Sequence, residues 1–248
     1  MTAPFTIASF RDFYAFEEHV KTCRAHRGLA MVPQWYEIPV FYFSNAVAII
    51  GDGDPVAAPQ GSTALDYELE LACVIGTACR DLPADDTAMS AVAGFTILND
   101  WSGRDLQRAE MAVGLGPSKS KDFATSIGPR LVPLSDLRAH YRDGRLHLEM
   151  TATVNGREYS RGNAGSMHWS WPQILAHASR DTELRPGDLI GSGTVGTGCI
   201  LELTPEAVCG WLQPGDVVEL AIEKLGVLRN TVVARSGLKM GASKFLTE

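Results

Sequence analysis

Cysteine is sparse in this chain and shows no pairing pattern. Five residues, Cys23, Cys73, Cys79, Cys199 and Cys209, occur in 248, an odd number with no Cys-x-x-Cys among them. That spacing excludes a disulfide framework and reads the thiols as reduced. Long apolar runs are missing too: none approaches the roughly 20 residues that span a bilayer. No charged segment followed by an apolar one opens the chain as a secretory signal would. Together these absences place the protein in the cytoplasm, away from membranes. A basic excess is also lacking. Lys and Arg number 22 against 29 Asp and Glu, a formal charge of −7, which argues against a broad nucleic-acid or anionic-membrane footprint. A small-molecule ligand is the better expectation, and a locally basic pocket remains compatible with it. Repeats and low-complexity linkers are absent, and 45% hydrophobic residues suffice for a substantial core, so residues 1–248 read as a single domain.

What is present is a chain of short strands punctuated by turns, with a few helices. Mixed helical spacing predicts a helix over residues 13–27, ending near Gly28. Aromatic and β-branched runs at residues 40–43 and 47–50 read as two strands before the turn residues 51–55. Residues 65–76 read as one strand, with Leu65, Tyr67, Leu69 and Leu71 on one face and Asp66, Glu68 and Glu70 on the other. Asp85 and Asp86 can cap a short helix at 87–93, and 94–98 is β-prone, leaving Asp100 at a strand end. A helix is expected over 104–111. A strand at 146–154 meets the hairpin signal Asn155-Gly156, and Ser166 can cap a helix reaching about residue 180. Pro186-Gly187-Asp188 and Pro214-Gly215-Asp216 are similar turns, each feeding an apolar strand.

The acidic face is the feature that asks for chemistry. Glu68 and Glu70 are two apart on a predicted strand, so both carboxylates project the same way from Cα atoms roughly 6.5–7 Å apart. Such a pair is often simply solvated. Here the strand continues as Ala72, Cys73, Val74 and Ile75, which implies burial, where unpaired carboxylates are costly. A hard divalent cation would relieve that cost, with Asp100 as a further oxygen ligand.

The residues around these acids carry a resemblance. Asp66-Tyr67-Glu68-Leu69-Glu70-Leu71 and Asn99-Asp100-Trp101-Ser102-Gly103-Arg104-Asp105-Leu106-Gln107 resemble the fumarylacetoacetate hydrolase family. So do the segment from Lys119-Ser120-Lys121 to Gly128-Pro129, and Leu184-Arg185-Pro186-Gly187-Asp188 followed by Gly191-Ser192-Gly193-Thr194. Nearer the start, Asp12-Phe13-Tyr14 with His19 five residues on has the spacing of the family's first ligand-and-base segment. The similarity spans about residues 11–233, without the separate N-terminal domain of longer members. Two departures stand out: Gly103 occupies a position where many relatives carry alanine, and no arginine after His19 matches the family's lid position, Arg24 and Arg27 both lying a little off it.

The resemblance implies a mainly β (α+β) fold, a mixed β-sandwich roll with peripheral helices, usually assembled as a homodimer. It implies Asp12, Glu68, Glu70 and Asp100 as metal ligands. Four oxygen donors suit Mg²⁺, with Ca²⁺ or Mn²⁺ as alternatives, better than Zn²⁺. His19 becomes the base, Glu202 its orienting acid and Lys121 a catalytic cation. Tyr14, Tyr42, Arg104, Gln107 and Thr194 would meet the substrate. Each has a plainer alternative: Asp12 a helix N-cap, His19 a solvent-facing helix residue, Glu202 a strand-surface acid, Tyr42 a core aromatic, Lys121 a solvated loop charge, Arg104 a partner of Asp100 or Asp105. The remaining histidines, His26, His140, His147 and His177, read as surface residues, and His168 as packing beside Trp169 and Trp171.

The activity this implies is metal-dependent hydrolysis of a carbon–carbon bond in a small β-dicarbonyl acid of fumarylacetoacetate or acylpyruvate type. Two rivals stand beside it: a hydratase or decarboxylase of a 2-oxo acid on the same scaffold, and a non-catalytic, metal-dependent carboxylate-binding module. A decarboxylase needs no activated water, so the His19 and Glu202 pairing favours hydrolysis.

Overall fold

The computed structural model describes residues 6–237. In chain order its main elements are β1 (Ser9–Phe13), α1 (Glu17–Ala25), β2 (Phe41–Ser44), β3 (Ile49–Ile50), β4 (Pro55–Val56), β5 (Leu65–Asp66) and β6 (Leu69–Ile75). There follow β7 (Val92–Asn99), β8 (Ser102–Gly103), α2 (Arg104–Val113), β9 (Thr125–Ile127), β10 (Glu149–Val154) and β11 (Arg157–Asn163). The last are α3 (Trp171–Ser179), β12 (Asp188–Thr194), α4 (Ile200–Leu203), β13 (Val217–Ile222) and β14 (Gly226–Val232). Seven strands form one mixed sheet in the order β2-β1-β12-β6-β7-β9-β3, and five form a second in the order β11-β10-β13-β14-β4. This is the mixed α+β architecture with peripheral helices that the resemblance implied.

The period of two explains how the sheets meet. Leu69, Leu71, Cys73 and Ile75 of β6 point into a core shared with Met150, Leu220 and Leu228 of the second sheet. Ala72 and Val74 turn the other way, into a smaller cluster with Phe10, Leu98 and Leu189. Strand β6 is central and buried on both faces, as its nearly unbroken apolar run required.

Strand polarity gathers the acids at one end of the sheet. Strand β1 runs parallel to β12, β12 antiparallel to β6, and β6 antiparallel to β7. The ends of β1, β12 and β7 therefore coincide with the beginning of β6, which brings together Asp12, Thr194, Glu70 and the residue after β7, Asp100. A register shift between Gly191 and Thr194 aims this edge. Gly193 sits there at φ +80°, and a Cβ on it would run into the carbonyl oxygen of Phe13.

Several sequence expectations need correction. Residues 13–27 do not form one helix: Phe13 ends β1, and α1 begins only at Glu17, with Phe16 at its N-cap. Asp12 is thus a buried strand residue paired with Gly191 and Tyr42, not a cap. The strand expected over 65–76 breaks at Tyr67 and Glu68. Leu65 and Asp66 pair with Ser102 and Gly103 instead, while the Glu68 N–H donates to the Asn99 side chain at 2.9 Å, which replaces a ladder partner. Residues 46–48 form a 3₁₀ turn, leaving only β3 of the strand expected at 47–50. Residues 86–91 are likewise 3₁₀, held by Asp85 accepting from the Thr87 N–H. Ser166 closes a short turn, and α3 is capped by Ser170, whose N–H donates to Gln173 Oε1 at 2.9 Å in a capping box. The Asn155-Gly156 hairpin forms as expected, both residues at positive φ. Among the described residues no helix is long and apolar enough to cross a membrane.

Candidate active site

Helix α1 carries His19 inward. Its Nδ1 meets Glu202 Oε2 at 2.8 Å, with both side chains buried. Glu202 lies on the short helix α4, and its Oε1 accepts the Thr197 N–H at 3.1 Å, so the carboxylate is fixed from two sides. Burial works against a charged imidazole, but Glu202 and the Cys199 side chain together outweigh it and raise the His19 pKa well above its ordinary value. The Tyr14 ring stands edge-on to His19, centroids 5.5 Å apart. His19 is neither solvent-facing nor alone, and Glu202 is not a surface acid.

Four further carboxylates, Asp12, Glu68, Glu70 and Asp100, are all buried. Lys121 bridges two of them: its Nζ donates to Glu68 and, at 2.6 Å, to Asp100 Oδ2. It is therefore no solvated loop charge. Arg104 donates from Nη2 to Glu68 Oε1 and from Nε to Asp66 Oδ2, both at 2.8 Å, and from Nη1 to Gln107 Oε1 at 2.9 Å. Its partners are Asp66 and Glu68 rather than Asp100 or Asp105, because α2 lies against the broken strand, whose acids point at its first turn. Burial pushes Glu68 up, but the Lys121 and Arg104 cations overcome it and hold the carboxyl at about 2. At Asp12 and Glu70 the Lys121 charge also favours the carboxylate, but it is too weak to offset burial. Burial raises both well above the usual carboxylate range, reinforced at Asp12 chiefly by Asp100 and at Glu70 chiefly by Asp12.

The Tyr42 hydroxyl donates to Asp100, with Asp12 Oδ2 3.3 Å away, and the Thr194 hydroxyl donates to Glu70 Oε1 at 3.1 Å. After these contacts, Asp12 Oδ1 and Glu70 Oε2 remain buried without a hydrogen-bond partner. Gly191 adjoins these oxygens, since a Cβ there would press on Asp12 Oδ1. Buried carboxylate oxygens in excess of nearby cations are the donor set that a hard divalent ion neutralises. The residues fit such an ion: Asp12 and Glu70 offer open oxygens, and Glu68 and Asp100 hold theirs against an ammonium.

All of this opens on one cavity of about 810 Å³. Its wall includes His19, Tyr14, Tyr42, Glu68, Glu70, Asp12, Arg104, Gln107, Lys121 and Thr194. Of the twelve residues singled out from the sequence, only Asp100 and Glu202 stand behind that wall, each touching a residue on it. Arg24, Arg27 and Arg108 also line the cavity, so the cationic rim draws on both α1 and α2. Sequence reasoning passed over Asp66, whose carboxylate binds Arg104 and the N–H groups of Ile200 and Leu201. It also passed over Cys23 and Cys199 beside His19. Gly103 has a local reason: a Cβ there would lie 2.9 Å from the Pro59 ring.

Residues 8–233 match the fumarylacetoacetate (FAA) hydrolase C-terminal family. The fumarylacetoacetase of Arabidopsis thaliana is 32% identical over 253 residues, covering 82% of this chain and 60% of that protein. That of Bos taurus is 30% identical over 254 residues, with coverage of 82% and 60%. The chain thus spans about 60% of the length of these curated relatives. A solved fumarylpyruvate hydrolase from Pseudomonas aeruginosa, in complex with Mn²⁺ and pyruvate, superposes with a TM-score of 0.74 at 27% identity, covering 92% of this chain and 91% of that one. A 5-carboxymethyl-2-hydroxymuconate delta-isomerase from Mycobacterium smegmatis gives 0.73 at 28%, covering 95% and 82%. With residues 8–233, which carry every strand of both sheets, inside that match, the chain belongs to the fumarylacetoacetate hydrolase family.

Proposed function

We propose that this protein hydrolyses a carbon–carbon bond in a small β-dicarbonyl acid of fumarylacetoacetate or acylpyruvate type. The observation that carries the reading is the 2.8 Å contact between His19 Nδ1 and Glu202 Oε2, placed on the same cavity as a surplus of buried carboxylates. Asp12, Glu68, Glu70 and Asp100 would hold a divalent cation, Mg²⁺ or Mn²⁺, and the Mn²⁺ bound by the Pseudomonas aeruginosa relative supports this choice. Such an ion supplies positive charge that polarises a 1,3-dicarbonyl and favours an enolate leaving group.

The chain's own residues do the rest. With Nδ1 held by Glu202, His19 Nε2 is the nitrogen that takes a proton from water as the water oxygen bonds to the carbonyl carbon. Glu202 fixes that tautomer and steadies the imidazolium. The adjoining carbon–carbon bond then breaks, its electron pair leaves as an enolate, and the proton on His19 returns to that fragment. A carboxylic acid and a ketone result. Lys121 opposes the developing negative charge, and Arg104, kept in place by Asp66, faces the substrate carboxylate together with Gln107. Tyr14 and Tyr42 form the aromatic wall, and Thr194 orients Glu70. A homodimer and a cytoplasmic location belong to the same reading and rest on the resemblance.

The solved isomerase relative favours a second reading, proton transfer within an unsaturated diacid without water addition. One assay separates the two. A panel of acylpyruvates and fumarylacetoacetate is incubated with Mg²⁺ or Mn²⁺ in ¹⁸O-labelled water, and the products are weighed. Label in the new carboxylate supports hydrolysis; an unlabelled product of unchanged mass supports the isomerase, and no turnover of any member rejects the proposal.

A further inference from the structure

Among the described residues, one trio of potential ligands has its donor atoms all within 4.8 Å of one another: a ring nitrogen of His19 and the sulfurs of Cys23 and Cys199. These are not the acids assigned above. His19 and Cys23 are four apart on α1 and so share one face of the helix. Cys199 arrives from far along the chain, at the N-cap of α4. Cys23 Sγ is 3.7 Å from His19 Nε2 and 3.8 Å from Nδ1, and the Cys199 thiol donates to Glu202 Oε2 at 3.5 Å. All three residues are buried, yet His19 and Cys23 lie on the cavity wall, which provides a way in.

The chemistry of this trio differs from that of the carboxylates. Two sulfurs and one imidazole nitrogen are a soft set that selects thiophilic cations over Mg²⁺. Bonds of about 2.0–2.1 Å to nitrogen and about 2.3 Å to sulfur place tetrahedral donors roughly 3.5 Å apart, close to the Cys23–His19 spacing. Glu202 already holds Nδ1, and a carboxylate on the far nitrogen of a ligating imidazole is a recurring partner at zinc.

We propose that His19, Cys23 and Cys199 form a second metal site for a thiophilic divalent cation of the Zn²⁺ class, and that filling it withdraws His19 from water activation. Binding forms two metal–thiolate bonds and one metal–nitrogen bond and releases the two thiol protons to solvent, with no change of oxidation state. The inhibitory consequence rests on the hydrolase reading; the site itself does not.

Cd²⁺ is the probe, titrated into reduced, Mg²⁺-loaded full-length protein while ultraviolet thiolate-to-metal charge-transfer absorption is followed. The expected result is a band that saturates at one equivalent, disappears in Cys23→Ser and Cys199→Ser, and survives in the carboxylate variant Glu70→Gln. Should Cys199→Ser fail to fold, Cys23→Ser at the cavity wall carries the test alone. A band that persists in Cys23→Ser, or no band at one equivalent, overturns the site. In parallel, Zn²⁺ should inhibit turnover reversibly, with a chelator restoring it. Cys23→Ser should need about tenfold more Zn²⁺ for half-inhibition of its own activity. A Cd²⁺ band without Zn²⁺ inhibition overturns the regulatory role. If no hydrolysis is found at all, the inhibitory role falls with the hydrolase reading, while the Cd²⁺ band still decides the site.

Discussion

The Asp66 carboxylate joins Arg104 to the helix that carries Glu202: Oδ2 accepts from Arg104 Nε at 2.8 Å, and the two oxygens take the N–H groups of Ile200 and Leu201 at 2.8 and 3.0 Å. Wholly buried, it links Arg104 on the cavity wall to the acid paired with His19. Removing one member of a buried ion pair leaves the other charge uncompensated, at a cost of about 3–5 kcal/mol. We expect Asp66→Ala to lose stability on that scale in urea unfolding, and Asp66→Asn to lose less. A wild-type unfolding midpoint for Asp66→Ala would show that the linkage contributes nothing.

For the proposed base, His19→Ala should lower kcat by about 10²–10⁴-fold. Adding Glu202→Gln to His19→Ala should cost little more, because residues acting as a unit are strongly non-additive. Multiplying losses in the double variant would break the pairing, and near-normal turnover by His19→Ala would remove the base.

The pH dependence has a definite sign. Burial opposes the His19 imidazolium, and Glu202 together with Cys199 more than offsets it, so the folded pKa lies well above the ordinary value. A general base must be neutral, so kcat/KM should climb as pH rises through that raised pKa, its acid limb lying above the ordinary histidine value of about 6.5. Stability runs the other way. The charged pair contributes fully below the unfolded pKa and is lost as pH rises through the folded one. The difference in unfolding free energy between the parent and His19→Gln should therefore shrink with rising pH over the window in which activity grows. A constant difference would contradict the shift.

Metal binding makes a separate prediction, centred on the two unpartnered oxygens. Mn²⁺ should raise the melting temperature of the parent protein, and Glu70→Gln should abolish most of that rise, because an amide lacks the charge that compensates the ion. Gly191→Ala should weaken the effect as well, since the new methyl group presses on Asp12 Oδ1. Equal Mn²⁺ stabilisation in all three proteins, read by calorimetry, would place the ion elsewhere.

Much of the site is legible in the amino-acid sequence. The alternation around Glu68 and Glu70 and the ordered motifs from Asp12 to Thr194 pointed to residues that the structure gathers on one cavity, and the hairpin at Asn155-Gly156 formed where its turn signal stood. Helix and strand bounds were less legible. At residues 13–27, polar and apolar positions suited a helix throughout, but β1 gains more by pairing between β2 and β12 through Phe13. At Tyr67 and Glu68 the alternation is perfect, yet a buried Tyr67 hydroxyl bonded to Ser160 and the Asn99 side chain on the Glu68 N–H interrupt the ladder. Local pattern does not encode such distant partners.

By itself, then, the chain's order of residues determined which groups are chemically able: the carboxylates, the histidine, the arginine and the lysine, at spacings that named a family. Only the tertiary structure decided their pairings. Arg104 turns to Asp66 and Glu68 instead of Asp100 or Asp105, and Lys121 settles between Glu68 and Asp100. Cys199 comes to rest beside His19 and Cys23. The reason is physical: a buried charge or thiol takes the partner that the packing of two sheets and their edge helices brings within reach. That choice depends on strand order and register, which spacing along the chain leaves open.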